Sequence, residues 1–549
     1  MIERVVLVGL SGAGKSTTAR LIGAGLGWTV IDLDQVIQSE AGRSIPDIFR
    51  TEGEAHFRSL EAGVFQRALA QSNVVIATGG GAVTDPAMWE EHGLGNPQTL
   101  SVWLDASTEQ LVDRLRRQAG EEGDGVRRPL LEGDPFLTIG AMREQRTPAY
   151  SRATVTLDVT ERHPADVARD VATLVRLGRG EATVELLEVE RATSRIRVAP
   201  GVRLALAEVI REQWPDAQQV FIACDAGVAP RLGDTLDHLE RGLQRSICTC
   251  EIPAGESSKS VEGLSQLWDW LLEGGVQRGD VLVAIGGGMV GDLAGFAAAT
   301  VLRGIGLLHV PTTLLSMVDS SVGGKTAINH RTGKNLIGSF HQARAVLIDP
   351  SFLSTLPERE RRSGWAEIIK HAVIEGSTPG GKPAVLLDVL ERNHGALLRL
   401  DEPLLSWVIG RNVAVKAAVV AADEREAGIR AFLNFGHTIG HGIEAAGYSL
   451  LHGEAVAVGM SAALNIATQM DLIDSAFAAR IRNLIQTFGL PLFAEVDPVV
   501  VLNKMSADKK KLRGRQAWVL PQRDGSVALH HDVPDDVVQR AISSVIRHG

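Results

Sequence analysis

Short apolar runs alternate with amphipathic helical patterns along the first third of the chain. The runs at 5–8, 29–31, 74–77 and 100–104 have the length and composition of buried parallel strands. Each is followed by a glycine-rich or polar turn and then by a stretch with helical spacing. This alternation predicts a doubly wound α/β unit, in which helices cover both faces of a parallel sheet.

A second α/β pattern begins after a glycine-containing break. A helix predicted over 164–177 ends at Gly178-Arg179-Gly180, and strand-like runs resume at 183–189, 220–224, 281–285, 307–310 and 345–348. From Ser351 onward the pattern is almost wholly helical. We therefore predict a first domain over 1–175, a linker over 176–182, a second α/β domain over 183–350 and an all-α domain over 351–549.

The composition is that of an ordinary globular protein. Hydrophobic residues make up 44% of the chain and charged residues 22%, and the net charge of −10 argues against a general nucleic-acid binder. The three cysteines form no disulfide framework and are best interpreted as buried small hydrophobes in a reducing compartment. The first residues lack a signal-peptide pattern, and no uninterrupted apolar run reaches the roughly 18 residues that span a membrane. These features predict a cytoplasmic protein that binds neither nucleic acid nor membrane.

A glycine-rich phosphate-binding motif follows the first predicted strand. Residues Gly9–Ser16 match G-x4-G-K-[ST] and are followed by a predicted helix, which is the context that this motif requires. Backbone N–H groups of such a turn surround phosphate oxygens, and the helix N-terminus adds partial positive charge. Lys15 is expected to reach the outer phosphates of ATP and Ser16 to bind magnesium. A chance glycine turn is the weaker alternative.

Charged residues beyond this motif are suited to positioning a phosphate acceptor. Asp32 and Asp34 follow the second strand, where a carboxylate can meet both magnesium and an acceptor hydroxyl, although helix N-capping explains either one equally well. Arg58 is suited to an acidic acceptor or, alternatively, is a surface charge. A triple glycine at 79–81 follows a strand, and Arg127–Leu131 lies in a polar, glycine-containing stretch that predicts a mobile lid.

Six motifs occur in the order GLSGAGKST, DLD, GEAHFR, GGG, RPLL and R-x-P-x-Y. Together they resemble shikimate kinase over about the first 170 residues. The resemblance implies a nucleoside-monophosphate-kinase-like P-loop fold that phosphorylates shikimate with ATP and Mg²⁺. Adenylate and gluconate kinases share the P-loop, but the paired arginines and the triple glycine favour shikimate.

The resemblance also implies roles for particular residues. Asp34 and Lys15 would be catalytic, with Asp34 orienting or deprotonating the attacked hydroxyl. The binding residues would be Gly12, Ala13, Gly14, Lys15, Ser16, Thr17 and Arg128 for ATP, Asp34, Arg58, Gly80 and Arg146 for shikimate, and Ser16 and Asp32 for magnesium.

The second half contains a different glycine turn and several isolated cations. Gly286-Gly287-Gly288 follows a predicted strand and allows close approach of a dinucleotide pyrophosphate, although a tight structural turn is nearly as good an explanation. Asp225 ends another strand, where an acidic residue can bind ribose hydroxyls. The GKT at 324–326 is not a second P-loop, because Asp319 replaces its first glycine. Five cations in apolar or small-residue surroundings indicate a pocket for a multiply anionic ligand, although solvation explains any one alone: Lys325, Lys334, Lys370, Lys416 and Arg430.

Glu367, His437, His441 and His452 are the candidates for a metal site. His437 and His441 are four residues apart and share one helix face. Nitrogen and carboxylate ligands with an open position suit a catalytic zinc. The motif is not H-E-x-x-H, which disfavours a metalloprotease, and structural histidines are the alternative.

The second half contains, in order, EIPAGESSK, AIGGGMVGDLAGF, VPTTLLSMVDSSVGGKTAIN, GKNLIGSFHQ, GWAEIIKH, NFGHTIGH, HGEAVAVGM and DKK. These motifs closely resemble 3-dehydroquinate synthase from about residue 182 to the end. The resemblance implies a Rossmann-type nucleotide-binding α/β domain, a helical metal-binding domain and a homodimer formed through this half. It also implies conversion of 3-deoxy-D-arabino-heptulosonate 7-phosphate to 3-dehydroquinate and phosphate, with NAD and with Zn²⁺ or Co²⁺.

The residues implied by this second resemblance fall into four groups. Glu367, His437 and His452 would bind the metal, and His441, Glu426 and Lys325 would be catalytic. NAD would contact Asp225, Glu256, Ser257, Ser258, Lys259, Gly287, Gly288, Met289, Asp292, Thr312, Thr313, Lys334, Phe352, Leu353, Ser354 and Thr355. The sugar phosphate would contact Arg303, Asp319, Lys325, Asn335, Lys370, Lys416, Arg430, Asn434 and either Lys509 or Lys510. Ser363 departs from the amide residue that the family pattern has before Gly364-Trp365, which leaves one NAD contact open.

Two rival hypotheses remain at this point. A metal-dependent polyol dehydrogenase shares the triple glycine, but the array of lysines argues against a neutral substrate. The first half is alternatively a nucleotide-binding regulatory or docking module, against which Lys15, Asp34, Arg58 and Arg146 argue. The favoured interpretation is two independent active sites that serve non-consecutive steps of the shikimate pathway, without channelling between them.

Overall fold

The chain divides into two compact units in the computed structural model, which describes residues 1–90, 93–122, 133–190, 192–426, 428–446, 450–511 and 517–547. For residues 120–122 and 506–511 it describes the backbone alone. Unit 1 comprises Met1–Glu181 and Asp388–Leu404, and unit 2 comprises Ala182–Leu387 and Leu405–Gly549. The sequence pattern gave no sign that 388–404 would belong to unit 1.

The first 181 residues contain a parallel sheet covered by helices. The order of its strands is β2-β3-β1-β4-β5, and every neighbouring pair is parallel. The elements are β1 (Arg4–Val8), α1 (Lys15–Leu26), β2 (Thr29–Asp32), α2 (Leu33–Ala41), α3 (Ile45–Leu69), β3 (Val74–Ala77), β4 (Thr99–Asp105), α4 (Thr108–Glu122), α5 (Pro135–Tyr150), β5 (Val155–Asp158) and α6 (Pro164–Gly178). The predicted doubly wound α/β fold is confirmed.

The central strand β1 explains where the phosphate-binding motif lies. All five residues of β1 are buried, because helices cover both faces of a parallel sheet. The strand ends at Val8, so the glycine motif begins at the carboxyl edge of the sheet and leads into α1. Gly9, Gly12 and Gly14 have φ values of 140°, 85° and 87°, a left-handed backbone that side chains rarely adopt.

After Glu181 the chain forms a second sheet, a helical region and two small hairpins. The elements are β6 (Thr183–Val189), β7 (Ala192–Val198), α7 (Leu206–Gln213), β8 (Gln219–Asp225), α8 (Gly233–Gly242), β9 (Ser246–Ile252), α9 (Val261–Glu273), β10 (Val281–Gly286), α10 (Gly288–Thr300), β11 (Gly306–Pro311), β12 (Lys325–His330), β13 (Gly333–Phe340), β14 (Ala345–Ile348), α11 (Glu358–Ile374), α12 (Val385–Leu398), α13 (Leu404–Ala422), α14 (His437–Ala446), α15 (His452–Gln469), α16 (Ser475–Thr487), α17 (Pro498–Lys511), β15 (Trp518–Pro521), β16 (Val527–His530) and α18 (Asp535–Val545).

The larger sheet of unit 2 has the strand order β6-β7-β14-β11-β10-β8-β9. Its strands are parallel except for β6, which runs antiparallel to β7. From β8 the chain continues to β9 at one edge of the sheet and then crosses to β10, which lies on the opposite side of β8. The strand order therefore reverses between β8 and β10, the place where ligands bind in open α/β sheets.

The region after residue 350 is helical, as expected, with one addition. The antiparallel hairpin β15–β16 interrupts the predicted run of helices. Helix α11 is central, since every residue from Ser363 to Ile374 is buried. Helix α13 is long and apolar enough to cross a membrane, but 72% of its most apolar window is buried within the protein, as in a core helix.

The second chain piece of unit 1 covers the edge strand β5. The Asn393 side chain accepts a hydrogen bond from the Thr156 N–H (2.7 Å) and donates one to the Thr156 carbonyl (2.9 Å). Arg392 forms ion pairs with Asp105 and Asp158, at the ends of β4 and β5. Unpaired backbone groups of an edge strand are thus satisfied by side chains far along the chain.

Candidate active sites

Lys15 lies buried inside the glycine motif of unit 1. Its Nζ donates hydrogen bonds to the carbonyl oxygens of Gly9 (2.8 Å) and Leu10 (3.0 Å). Burial lowers the pKa of Lys15 to about 8, against the opposing charges of Asp34 and Asp32. The ammonium group is therefore poorly hydrated, and its hydrogen bonds within the described part of the chain go to loop carbonyls, which a phosphate group can replace.

The triple glycine packs against two arginine side chains. The guanidinium of Arg146 donates to the Gly80 carbonyl (2.8 Å), and the Tyr150 hydroxyl donates to the same oxygen (2.5 Å). A Cβ atom at Gly80 would lie 2.8 Å from Arg146 Nη1, and one at Gly81 would lie 2.4 Å from the terminal nitrogens of Arg58. These glycines therefore allow both guanidinium groups to reach one small area of surface.

The carboxylates of Glu61 and Asp34 lie next to the triple glycine and the two arginines. Arg58 donates to Glu61 (2.6 Å), and a Cβ atom at Gly79 would lie 2.3 Å from Glu61 Oε1 and 3.1 Å from Asp34 Oδ1. Burial raises the pKa of Asp34, while the nearby Lys15 charge opposes the rise. Burial likewise raises the pKa of Glu61, against the opposing charge of Arg58. Asp34 is thus a carboxylate with increased basicity beside the P-loop lysine.

Glu61 was not among the predicted site residues. Its separation of three residues from Arg58 on α3 is the sequence signal that would have indicated it, because residues at this spacing are neighbours on a helix. Asp32 accepts a hydrogen bond from the Gln35 N–H (3.4 Å), so it performs the N-capping role that was its alternative interpretation. Ser16 and Thr17 lie in the first turn of α1. Arg128 and most of the predicted lid lie outside the described residues.

In unit 2 the predicted dinucleotide residues lie at the point where the strand order reverses. Asp225 ends β8, where its Oδ1 accepts from the Gly227 N–H (2.8 Å), and Gly287 precedes α10 directly after β10. A Cβ atom at Gly287 would lie 3.1 Å from Thr313, and one at Gly288 would lie 2.9 Å from Ser320. The turn therefore has no room for side chains, as a cradle for a pyrophosphate requires.

A buried lysine links predicted NAD and substrate residues. Lys259 donates to Asp292 (2.5 Å) and also to Asn335. Burial raises the pKa of Asp292, against the opposing charge of Lys259. Glu256, at the start of the same loop, accepts from Asn329 on β12 (2.7 Å). The loop after β9, helix α10 and the β12–β13 hairpin therefore meet at this edge of the sheet.

The predicted metal ligands converge in the helical region. Nε2 of His437 lies 3.4 Å and Nε2 of His452 lies 3.5 Å from Oε1 of Glu367. The three ligand atoms lie within 4.8 Å of one another. One carboxylate oxygen and two imidazole nitrogens form a donor set that suits Zn²⁺ or Co²⁺. Burial lowers the pKa of His437 to about 3, so this imidazole is neutral and able to bind a metal.

His441 lies beside this cluster. Its ring centroid is 5.1 Å from that of His437 and 6.0 Å from that of His452, and the side chain is exposed. This position next to the metal ligands is compatible with proton transfer. A second group of donors consists of Asp319, Glu367 and His371, but lysines already contact both of its carboxylates, which makes it less suitable for a cation.

Buried charges of alternating sign extend from the metal ligands. Lys370 contacts Glu367 and lies 3.8 Å from Asp319, while Lys416 donates to the Asp319 side chain (2.7 Å) and to its backbone carbonyl (2.5 Å). Burial alone would raise the pKa of Glu367, but Lys370 and the two histidines hold it well below its ordinary value. Lys416 and Lys370 likewise outweigh burial and lower the pKa of Asp319. Glu367 and Asp319 in turn outweigh burial and raise the pKa of Lys370, so these three groups are charged. Burial lowers the pKa of Lys416, against the opposing charge of Asp319.

Asp319 lies on a π-helical turn, Ser316–Ser320, in which the N–H of Ser321 donates to the Ser316 carbonyl across 3.2 Å. Such turns are often found at functional sites. Arg430 is buried nearby and donates to the Gly323 carbonyl (3.1 Å). Lys325 pairs with Glu426 (2.5 Å). Several of the predicted cations are thus brought together, although they come from different motifs.

Among the side chains that the structure describes, Arg303 and Asn434 have no such contact. Arg303 follows α10 at the amino edge of β11, on the order of 20 Å along the strand from the edge that carries Thr312. Asn434 is exposed at the end of a 3₁₀ turn, Ile429–Asn434. The turn Pro350–Thr355, which contains the predicted NAD contacts 352–355, follows β14 at the carboxyl edge. Lys509 and Lys510 lie on α17, and their side chains lie outside the described part of the chain.

Glu444 was missed by sequence reasoning, although it contacts a predicted metal ligand. Its Oε2 lies 3.1 Å from Nδ1 of His452, and its Oε1 accepts from Lys334 (2.7 Å). Burial raises the pKa of Glu444, but His452 and Lys334 outweigh it and lower the value to about 2. His437, His441 and Glu444 have helical spacing on α14, which is the signal that would have indicated it.

Comparison with known proteins also divides the chain into two parts, although residues 388–404 of unit 1 lie within the second match. Residues 11–176 match the family model for shikimate kinase, and residues 249–363 and 364–511 match the models for the N-terminal and C-terminal parts of 3-dehydroquinate synthase. The 3-dehydroquinate synthase of Desulforamulus reducens is 41% identical over 353 residues, which are 63% of this chain and 96% of that protein.

Two solved structures are also similar to parts of this chain. The 2-epi-5-epi-valiolone synthase of Streptomyces hygroscopicus subsp. jinggangensis 5008, with NAD⁺ and Zn²⁺ bound, is 28% identical with a TM-score of 0.59, covering 66% of this chain and 99% of that one. The shikimate kinase of Acinetobacter baumannii, in complex with shikimate, is 31% identical with a TM-score of 0.29, covering 32% of this chain and 93% of that one.

Proposed function

Because the chain belongs to the 3-dehydroquinate synthase family and, through its N-terminal part, to the shikimate kinase family, we propose that it catalyses two reactions of the shikimate pathway at separate sites. The first is transfer of a phosphoryl group from ATP to shikimate. The second is conversion of 3-deoxy-D-arabino-heptulosonate 7-phosphate to 3-dehydroquinate and phosphate. The cofactors are Mg²⁺ with ATP for the first reaction, and NAD with Zn²⁺ or Co²⁺ for the second.

At the kinase site, the backbone N–H groups of the P-loop and the Lys15 ammonium bind the phosphates of ATP. Ser16, and Asp32 through water, would hold a magnesium ion, which would supply positive charge next to the transferred group. Arg58 and Arg146 lie close enough, across the triple glycine, to bind one carboxylate of shikimate together. The raised pKa of Asp34 suits it to orient the acceptor hydroxyl and to take up its proton.

At the synthase site, Glu367, His437 and His452 hold the metal, and the turn at Gly287 and Gly288 holds NAD. When bound, the metal supplies Lewis acidity and NAD supplies a reversible hydride acceptor. Lys370, Lys416 and Arg430 bind anionic groups of the sugar phosphate, together with Lys325. His441 and Glu426 hold the protons that move during phosphate release and ring closure.

One observation carries the synthase assignment. The metal-ligand cluster is continuous with the buried charges of Lys370, Asp319 and Lys416, so a metal site and an anion site are directly adjacent. Lys370 and Lys416 share the carboxylate of Asp319, so an anionic group of a phosphorylated sugar acid can compensate their charges further, whereas a neutral polyol cannot. This argues against a polyol dehydrogenase.

The test uses the full-length protein, with each reaction assayed separately. With Zn²⁺ and substoichiometric NAD, we expect the protein to form 3-dehydroquinate from the heptulosonate phosphate. We expect no net formation of NADH. We also expect shikimate 3-phosphate from shikimate and Mg-ATP. Net NADH formation from glycerol, without formation of 3-dehydroquinate, would instead identify the second site as a polyol dehydrogenase.

We further propose a cytoplasmic homodimer that forms through the synthase half and binds small-molecule substrates only. Strand β6 is an edge strand among the described residues, and it exposes Val184 (54%) and Leu186 (50%). Exposed apolar edges of this kind mark association surfaces. Light scattering should give a dimer mass for the wild type and for Val499→Lys, an exposed control. The double change Val184→Lys and Leu186→Lys should give a monomer, and a dimeric double variant would exclude this edge.

A further inference from the structure

The two imidazole nitrogens of His452 point to different partners. Nε2 lies 3.5 Å from Oε1 of Glu367, within the metal-ligand cluster, whereas Nδ1 lies 3.1 Å from Oε2 of Glu444. Glu444 is not one of the clustered ligand atoms. When a carboxylate accepts the Nδ1–H of a histidine, the lone pair of that ring is fixed on Nε2, the atom that faces the metal.

The other oxygen of Glu444 extends the contact to the nucleotide edge. It accepts a hydrogen bond from Lys334 on β13, across 2.7 Å. The next residue, Asn335, is bound by Lys259, which also pairs with Asp292 on α10. A series of contacts therefore runs from the metal ligand His452 to the helix that begins at the dinucleotide turn, and it passes from Lys334 to Asn335 along the backbone of β13.

Contacts on both sides, together with its own low exposure, give Glu444 a defined geometry. The side chain of Glu444 is 16% exposed, that of His452 is 30% exposed and that of Lys334 is 52% exposed. The carboxylate is held from both sides by groups on two other elements, α15 and β13. Its position therefore depends on both elements, and the orientation of His452 depends on it.

We propose that Glu444 is a positioning residue of the metal site, which orients His452 toward the metal and ties it to Lys334 on the hairpin at the nucleotide edge. This inference rests on the proposed synthase function, because it takes Glu367, His437 and His452 as the metal ligands. It predicts that metal affinity depends on a residue that does not itself touch the metal. It also predicts that metal and NAD strengthen each other's binding through this contact.

The test measures metal binding instead of turnover. Metal-free full-length protein is titrated with Co²⁺, and the dissociation constant and the visible absorption spectrum are recorded. Glu444→Ala should weaken Co²⁺ binding by about 10- to 100-fold and change the spectrum, as expected for loss of the carboxylate that orients a ligand. Glu444→Gln keeps an acceptor of the same length, so it should restore most of the affinity. Lys334→Met should cause a smaller loss, because the contact with His452 remains.

The control is Glu358→Ala, which removes an exposed carboxylate from α11, the helix that carries Glu367. It should leave Co²⁺ binding unchanged. Melting of the metal-free proteins separates positioning from general stability, because a purely structural role would lower the melting temperature of Glu444→Ala without altering the cobalt spectrum. NAD should tighten Co²⁺ binding in the wild type and have a smaller effect in Glu444→Ala.

Wild-type affinity and spectrum in folded Glu444→Ala would overturn the positioning role and leave the proposed function intact. If Glu444→Ala does not fold, Co²⁺ affinity and spectrum identical to the wild type in Lys334→Met, which removes one of the two contacts that hold Glu444, would overturn it. Failure of the wild-type protein itself to bind Co²⁺ would instead count against the proposed function.

Discussion

Arg146 donates a hydrogen bond to the carbonyl of Gly80 across 2.8 Å, although 66 residues separate them in the chain. A Cβ atom on Gly80 would lie 2.8 Å from the donating nitrogen, and the backbone of Gly80 does not have a positive φ. Gly80→Ala should therefore leave the fold intact and displace the guanidinium. We expect kcat/KM for shikimate to fall by about 10- to 100-fold, mainly through KM, in a steady-state kinase assay.

Gly25→Ala is the matched control for this change. Gly25 lies in α1, and a Cβ atom there would meet nothing within 4 Å. Alanine favours a helix over glycine by up to about 1 kcal/mol, so the control should be active and at least as stable as the wild type. A Gly80→Ala variant with wild-type shikimate KM would contradict the role of Arg146.

Lys15→Ala should abolish phosphorylation and spare the synthase. The ammonium of Lys15 is the buried cation of the P-loop, so its removal should lower kinase kcat by about 10²–10³-fold or more. Synthase activity of the same sample should stay within twofold of wild type. The control is Arg20→Ala, which changes an exposed residue of α1 and should preserve both the kinase and the synthase activity. Equal loss of both activities in folded protein would argue against separate sites.

ATP affinity should fall as pH rises from 7 to 9. The pKa of Lys15 in the free protein is about 8, so the ammonium is mostly protonated at pH 7 and mostly neutral at pH 9. Because the phosphates bind the protonated form, the dissociation constant of Mg-ATP should rise about tenfold over this range. Calorimetric titration measures this directly. Lys15→Ala should bind Mg-ATP weakly, with a dissociation constant that does not change with pH. If the wild-type dissociation constant were also independent of pH, the pKa of Lys15 would be that of an ordinary lysine.

Removal of zinc should separate the two activities. Chelation followed by dialysis into Mg²⁺ buffer should reduce synthase activity to background, because Glu367, His437 and His452 lose their metal. Zn²⁺ or Co²⁺ should restore it, and kinase activity should be unchanged throughout. Glu367→Gln should not recover with added metal. Full synthase activity in protein shown by elemental analysis to lack metal would disprove the assignment.

Much of the fold was predictable because strands buried on both faces are continuous apolar runs. The P-loop was predictable because its strand, glycine turn and helix are adjacent in sequence. The convergence of Lys370 and Lys416 on Asp319 was not, since the three residues come from separate motifs and only tertiary structure brings them together. The same reason explains why Glu444 was missed, because its two partners lie on other elements.

The packing of residues 388–404 could not be read from the sequence. Helical periodicity shows that α12 has an apolar face, but not which surface covers it. In the sequence, Asn393 is an ordinary polar residue of a predicted helix. In the structure its side chain bonds the backbone N–H and carbonyl of Thr156, the groups that a neighbouring strand would otherwise pair with. Arg303 lies between the quoted motifs and at the amino edge of β11, and its contact with the sugar phosphate stays a prediction.

The π-helical turn at Ser316–Ser320 makes the number of residues before Asp319 as important as their identity. Such a turn contains one residue more than an α-helical turn. Deleting a single residue there would allow regular helix to form and would rotate Asp319 by about 100° about the helix axis. Lys370 and Lys416 would then face each other across a buried gap without their shared carboxylate. A one-residue deletion in this turn is therefore expected to be as damaging as a charge-removing substitution at Asp319.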